Sequence, residues 1–340
     1  MTETAIPLPP VASWSLDAFV VAARWTGADT AAALALADGT VLIADRARPP
    51  SVRHVRTGAA QILAMTPVGA DAFVVATDTG ALLRIDASGT VHPFAAYPDA
   101  WIDVLATDGR GTVAVAVNRT VVLLRADGTE AGRTPEHEST VGGLAFSADG
   151  SRIVASHYGG ATIWKVAELP APPRRLRFAG SHLDVTVSAN ARFLATTTQE
   201  KEVHVWRLRE NRDMRMSGYY AKPRSLSWSS DGAWLVTSGG DAGTAWPFSG
   251  PGPEGQAPRL VGPVSESLVT AVACHPGAPL VALGYGEGTV VLASLTGRTL
   301  EVPIVDGSGK AVTTLAWSCD GRLLVAGTRD GQASLVYVDD

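Results

Sequence analysis

Apolar and polar positions alternate along this chain in short runs, and the runs recur in sets. Thr140 to Val166, TVGGLAFSADGSRIVASHYGGATIWKV, shows the set most clearly. Val141 to Phe146 is apolar with small residues interleaved and reads as a strand. Ala148-Asp149-Gly150 turns the chain, because Asp-Gly tolerates the positive φ of a tight hairpin. Arg152 to Ser156 is a second strand, His157-Tyr158-Gly159-Gly160 a second turn, and Ala161 to Val166, with Trp164, a third strand. A lone meander of this kind cannot bury its own faces, so it needs neighbours of the same kind.

The chain supplies them. Similar sets occupy 20–45, 61–86, 101–125, 183–208, 224–248, 269–294 and 312–338. Aligning their first strands superposes Ala23, Ala64, Val104, Ala145, Thr186, Ser227, Ala273 and Ala316. The step is roughly 40–46 residues, and about eight units result. Outer fourth strands are expected near Ser51 to Arg56, Thr90 to Phe94 and Thr129 to Arg133 in the first three units. The last unit stops at Tyr337-Val338 after its third strand. Its fourth strand must come from the N-terminus, roughly Thr4 to Val11, with Pro7 and Pro9 facing outward from an edge.

This period and strand order resemble the WD40-repeat β-propeller family over nearly the whole chain. The letter of the family's motif is missing. The dipeptides are Trp164-Lys165, Trp206-Arg207 and Trp246-Pro247, and Gly-His is reduced to Ser181-His182 and Glu136-His137. The resemblance implies one all-β domain over 1–340. It would be an eight-bladed propeller of four-stranded antiparallel blades, or seven blades if unit one or three is irregular, closed by a strand within residues 1–12. It also implies a hydrogen-bonded set in each blade: a His before the first strand, a Ser or Thr in the second, an acid in the second turn, and the Trp. In unit five these are His182, Thr196 or Thr197, Glu200 and Trp206. In unit four they are His137, Ser156 and Trp164, with Tyr158 where the acid belongs.

Composition narrows the function. The chain has 340 residues, 46% of them hydrophobic and 18% charged, enough apolar surface for a large core. A net charge of −5 disfavours nucleic acid and anionic membranes as partners. The stretch from Arg174 to Arg224 is basic, but its charges are mixed with Glu210 and Asp213 and its aromatics lack a stacking rhythm. The N-terminus has no basic and apolar leader pattern, and no apolar run reaches the length of a membrane helix, so a cytoplasmic, monomeric protein is expected. Arg greatly outnumbers Lys, a compositional mark of a GC-rich bacterial genome.

Cys274 and Cys319 are two cysteines in different units and read as core or turn residues, and Cys274-His275 lacks a second ligand pair for zinc. Phosphate-loop, nucleophile-elbow and zinc-protease motifs are missing, and no cofactor or metal is expected. The family resemblance implies a non-enzymatic scaffold for an unidentified protein or peptide; the alternative is an enzyme or small-ligand binder using the central channel. On the face formed by the second turns, the candidate partner-binding residues are Trp101, Arg119, His157, Tyr158, Tyr219, Tyr220, Lys222 and Arg224. Tyr158 is the sharpest, because a large side chain stands where a structural acid belongs.

Overall fold

The computed structural model describes residues 11–297 and 300–338. Its regular structure is β-strand apart from one 3-10 turn at Val166–Glu168. No helix among the described residues is long and apolar enough to cross a membrane.

A small cassette builds the first turn of several repeats. In Ser147-Ala-Asp149-Gly150, the Ser147 hydroxyl donates to Asp149 Oδ1 at 2.6 Å and accepts the Arg152 N–H at 3.0 Å. Asp149 also accepts the Ser151 N–H, and Gly150 takes φ 70°. The serine and backbone donors hold the Asp149 carboxyl down to about 2. The same arrangement recurs with Ser188 and Asn190, Ser229 and Asp231, and Ser318 and Asp320. Each side chain supplies the bonds that the chain reversal takes away from the ladder.

The strands form seven antiparallel sheets, the blades of a propeller. Six blades have four strands, for example Ile62–Val68, Ala72–Thr77, Ala81–Asp86 and Val91–Ala96. The expectation of eight separate blades is corrected to seven sheets, and the irregular units are four and five rather than one or three, which form ordinary four-stranded sheets. Repeats four and five share one sheet, because Arg152–Lys165 and Arg174–Val187 each continue for 14 residues. Tyr158 pairs with Ser181 and His182 with Thr198, where other repeats are separated by loops. Within the first long stretch the chain doubles back at Gly159 and Gly160, whose φ values are 88° and 135°. The Val166 N–H then donates to Ser151 O at 2.9 Å.

The described residues fall into two compact units. One holds the residues up to Trp25, Ala47–Ser51 and those from Tyr219 onward; the other holds Thr26–Arg46 and Val52–Gly218. In the first unit Ala12–Ser15 pairs with the last strand, Ala12 opposite Leu335 and Ser15 opposite Gln332. The Val11 N–H donates to Leu335 O at 2.7 Å. The stretch expected to form this strand, from Thr4, lies outside the described residues as far as Pro10.

In the second unit the period-two rule of strands assigns side chains to successive cores. Val113 and Val115 pack with Val74 and Ile102 toward repeat two, while Ala114 and Ala116 pack with Ile153 and Trp164 toward repeat four. Val154 faces the other way from Ile153 and joins Leu194 and Trp206 of repeat five. Strands covered on both faces lose the polar half of the alternation, as in Ala31–Leu36, which is buried at every position. Each fully buried Val, Leu or Ile contributes about 1.5–3 kcal/mol.

Candidate functional site

In the second unit the candidate face centres on Tyr158. Its side chain is 64% exposed, yet its backbone is fixed: the N–H donates to Ser139 Oγ at 2.8 Å. His157 beside it is buried, so it is not a surface residue as expected. Its Nδ1 lies 2.8 Å from Tyr158 O. A carbonyl only accepts, so Nδ1 is the donor of this bond, and Nε2 is buried without a partner. Trp101 is 57% exposed. Arg119 serves the loop: its Nε donates to His137 O at 2.8 Å, and its guanidinium lies 3.5 Å from Glu136.

Beneath this turn is a pocket of about 250 Å³. Its lining includes His157, His137 and Trp164, a proline wall of Pro135, Pro170, Pro172 and Pro173, and charges of both signs from Glu136, Glu138, Arg175 and Arg177. The His137 ring sits 5.5 Å from that of His157 and 5.9 Å from that of Trp164.

The blade networks differ from the expectation in unit four. His137 Nδ1 donates to Arg119 O at 2.9 Å, and Nε2 accepts from Thr162 Oγ1 at 2.9 Å. Ser156 and Trp164 are not in that network; Ser156 Oγ and Trp164 Nε1 are buried without partners. The reason is register. In repeat five the bonding hydroxyl is Thr196, opposite Val185; the matching position opposite Leu144 is Ala155, so Ser156 is one residue late and on the other face. In unit five His182 Nδ1 lies 2.7 Å from Thr196 Oγ1, and Thr197 Oγ1 is unpartnered. Glu200 is exposed, and no hydrogen bond among the described residues joins it to His182. Trp206 instead packs edge-on against His204 at 4.5 Å. Burial lowers the basicity of His137 and His182, and that of His204 to about 4.

In the first unit Tyr219 overturns the expectation of an exposed tyrosine pair. Its hydroxyl accepts from Trp246 Nε1 at 2.7 Å and bonds Thr237 Oγ1 at 2.8 Å. Thr237 in turn donates to Thr244 O at 3.3 Å. Burial pushes the Tyr219 phenol up to about 12. Tyrosine here does the work of the family's histidine, which the chain reading missed. The available signal was a Thr–Trp pair in repeat six with no histidine to serve it. Tyr220 is 65% exposed, Lys222 half-buried and Arg224 exposed.

Cys274 is half-buried, its thiol pushed up to about 12 by desolvation and donating to Ser227 O. His275 is used by its turn: Nδ1 accepts from the N–H groups of Gly277 and Ala278, and Nε2 donates to Gly321 O. Among the described residues no three His, Cys, Asp or Glu side chains cluster as metal ligands do.

Residues 214–245 match the family model of the WD domain, G-beta repeat, and residues 273–340 match that of the anaphase-promoting complex subunit 4 WD40 domain. The crystal structure of the C-terminal WD40 domain of Sif2 superposes with a TM-score of 0.77 at 14% identity, covering 99% of this chain and 100% of that one. The fold is that of a β-propeller, and the two matched stretches support its resemblance to the WD40-repeat family. No curated protein matches it in sequence. WD40 propellers generally serve as scaffolds for protein interaction rather than as enzymes.

Proposed function

We propose that this WD40 propeller is a non-enzymatic, cytoplasmic adaptor that binds a protein or peptide across the Tyr158 face of its second unit. The observation that supports this is the state of Tyr158 itself: a large aromatic held out to solvent on a turn whose backbone Ser139 pins. Rigid aromatic side chains gain contact area with little loss of conformational freedom and are enriched at the energetic centres of interfaces. Trp101 extends the apolar character of this unit's surface. Tyr220, Lys222 and Arg224 make a separate candidate patch in the first unit. Tyr219 and His157 take no direct part, since both are buried. The test is affinity capture from the native host with Tyr158→Ala and Trp101→Ala combined, at an unchanged melting temperature. Loss of the captured protein is expected; recovery of the same proteins in the same amounts would overturn the reading.

A further inference from the structure

The second strand of each repeat opens on an apolar residue, with one exception. Ala31, Ala72, Val113, Phe193, Trp234, Leu280 and Leu323 hold this place in seven repeats, and five of them are buried. In repeat four the place is taken by Arg152, which is exposed. The bond from Val166 N–H to Ser151 O sets Arg152 directly opposite Lys165 across the hairpin. Like charges so placed, with Cβ atoms about 4.5–5.5 Å apart, are destabilising. Ile163 pairs with Arg174, so Arg174 lies diagonally across from Lys165 on the same face, about 7–8 Å away. Three cations therefore share one corner of the blade. With Glu168, Ile163 and Pro173 they line a cavity of about 420 Å³. It lies at the open end of the hairpin whose turn carries Tyr158.

We propose that this cavity binds a phosphomonoester, its phosphoryl group among Arg152, Lys165 and Arg174 and its organic body against Ile163 and the prolines. The charge count fits. Arg152, Lys165 and Arg174 against Glu168 leave a surplus of two positive charges, and a phosphomonoester carries about −1.5 to −2 at neutral pH. Glu168 is taken up by Lys165, whose Nζ lies 2.9 Å from Oε1, so the two arginines face the cavity without a carboxylate of their own. The Arg152 side chain has no hydrogen bond or ion pair among the described residues. Asp149, the carboxyl that feels its charge, is held by Ser147 and Ser151 in the first turn. Arg174 is fixed in advance. One terminal nitrogen donates to Leu208 O and, at 3.1 Å, to Asn211 Oδ1, which leaves the donors on its Nε and its other terminal nitrogen open. Arginine offers such donors in a fork that matches phosphate oxygens. A dianion set between Arg152 and Lys165 turns their repulsion into attraction to a common charge, whereas a carboxylate meets only half of the surplus. The volume falls within the roughly 300–1,000 Å³ of clefts that hold small organic ligands, more than a bare phosphate fills.

The test titrates the full chain calorimetrically with phenyl phosphate and with phenylacetate, two aromatic anions that differ in the charge of the head group. Saturable binding of phenyl phosphate is expected, at least about tenfold tighter than that of phenylacetate and weakening as salt is added. Arg152→Leu gives repeat four the residue that repeats seven and eight carry at this place and removes the like-charge pair. It should melt no lower than the wild type and bind phenyl phosphate at least about tenfold more weakly. No saturable binding, equal binding of the two anions, or an Arg152→Leu protein that binds as the wild type does overturns the proposal. Should Arg152→Leu fail to fold, Arg174→Gln replaces it with the same expected loss and the same overturning result. A capped tripeptide centred on phosphoserine and glycerol phosphate then separate the sources. Tighter binding of the peptide assigns the site to a phosphorylated protein; equal or tighter binding of glycerol phosphate assigns it to a phosphorylated small molecule.

Discussion

Repeats four and six start from nearly the same residues and finish differently. Each has an Asp-Gly first turn, a buried Trp at the end of its third strand and a Thr on that strand. In repeat six Tyr219 reaches in and joins Trp246 to Thr237. In repeat four His137 bonds Thr162 and leaves Trp164 Nε1 alone beside a pocket. A repeat that closes its own network gains rigidity and has nothing to offer a partner. One that leaves a donor open carries the cost of a buried, unpaired polar group. The difference lies in which side chain enters from the connection before the first strand.

The largest expected effect comes from cutting the closed network. Trp246→Phe and Trp164→Phe remove similar volumes from similarly buried sites. Trp246→Phe also strips Tyr219 of its donor, whereas Trp164→Phe deletes a donor that had no partner. Trp246→Phe is expected to cost about 1–3 kcal/mol more than Trp164→Phe. Urea midpoints of the two variants measured side by side decide it; equal losses would mean that the bridge adds nothing. Tyr219→Phe should reproduce most of that difference, since it keeps the ring and removes only the hydroxyl.

Extremes of pH should act on the two units from opposite ends. Repeats four and five carry His137, His182 and His204, all lowered in basicity by burial, His204 to about 4 with Asp213 lying 3.3 Å away as a partial offset. Their unfolded counterparts titrate near the ordinary value of about 6.5. Below that pH the unfolded chain binds more protons than the folded one, so stability is full above about 6.5 and falls as the pH drops toward about 4. Tyr219 is raised to about 12 from an unfolded value near 10. Above pH 10 the unfolded chain has lost a proton the folded one keeps, so repeat six weakens as the pH rises from 10 toward 12. Hydrogen exchange of Val203–Arg207 should accelerate first in acid and that of Gly243–Pro247 first in alkali. Simultaneous loss at both ends of the scale would show that these groups do not set local stability.

The blade architecture was legible because it rests on period: strand lengths, Asp-Gly turns and a repeat step are written in consecutive residues. The joining of repeats four and five was not, since His157 to Gly160 and Phe178 to Ser181 read as turn and loop, and only the pairing of Tyr158 with Ser181 makes them one sheet. The site was half legible. Tyr158 and Trp101 are exposed in places where the chain reading put them. Tyr219 next to Tyr220 reads as a matched pair, and nothing local shows that one goes inward. The pocket could not be read at all, because residues from 135 to 177 meet in it and its shape depends on how the proline-rich connection packs.

The smallest effect tests the register that separates the two kinds of network. Thr196 in repeat five and Ser156 in repeat four are both fully buried hydroxyls in second strands, and by sequence either could serve the blade. Thr196 Oγ1 meets His182 at 2.7 Å, while Ser156, one residue out of register with it, has an unpartnered hydroxyl. Side chains on a strand change faces at each step, so one residue decides which of the two can reach the histidine. Thr196→Ala is expected to destabilise the protein by about 1 kcal/mol, the net worth of its hydrogen bond with the added cost of leaving His182 Nδ1 unpaired while Nε2 keeps Phe178 O. Ser156→Ala removes a buried polar atom that has no bond to lose and should leave stability within about 0.5 kcal/mol or raise it. Ala155→Thr would restore a hydroxyl to the position that Thr196 occupies in its own repeat. If Ser156→Ala proved as damaging as Thr196→Ala, the hydroxyl of Ser156 would have a partner in solution, and the contrast between an open repeat and a closed one would fail at its starting point.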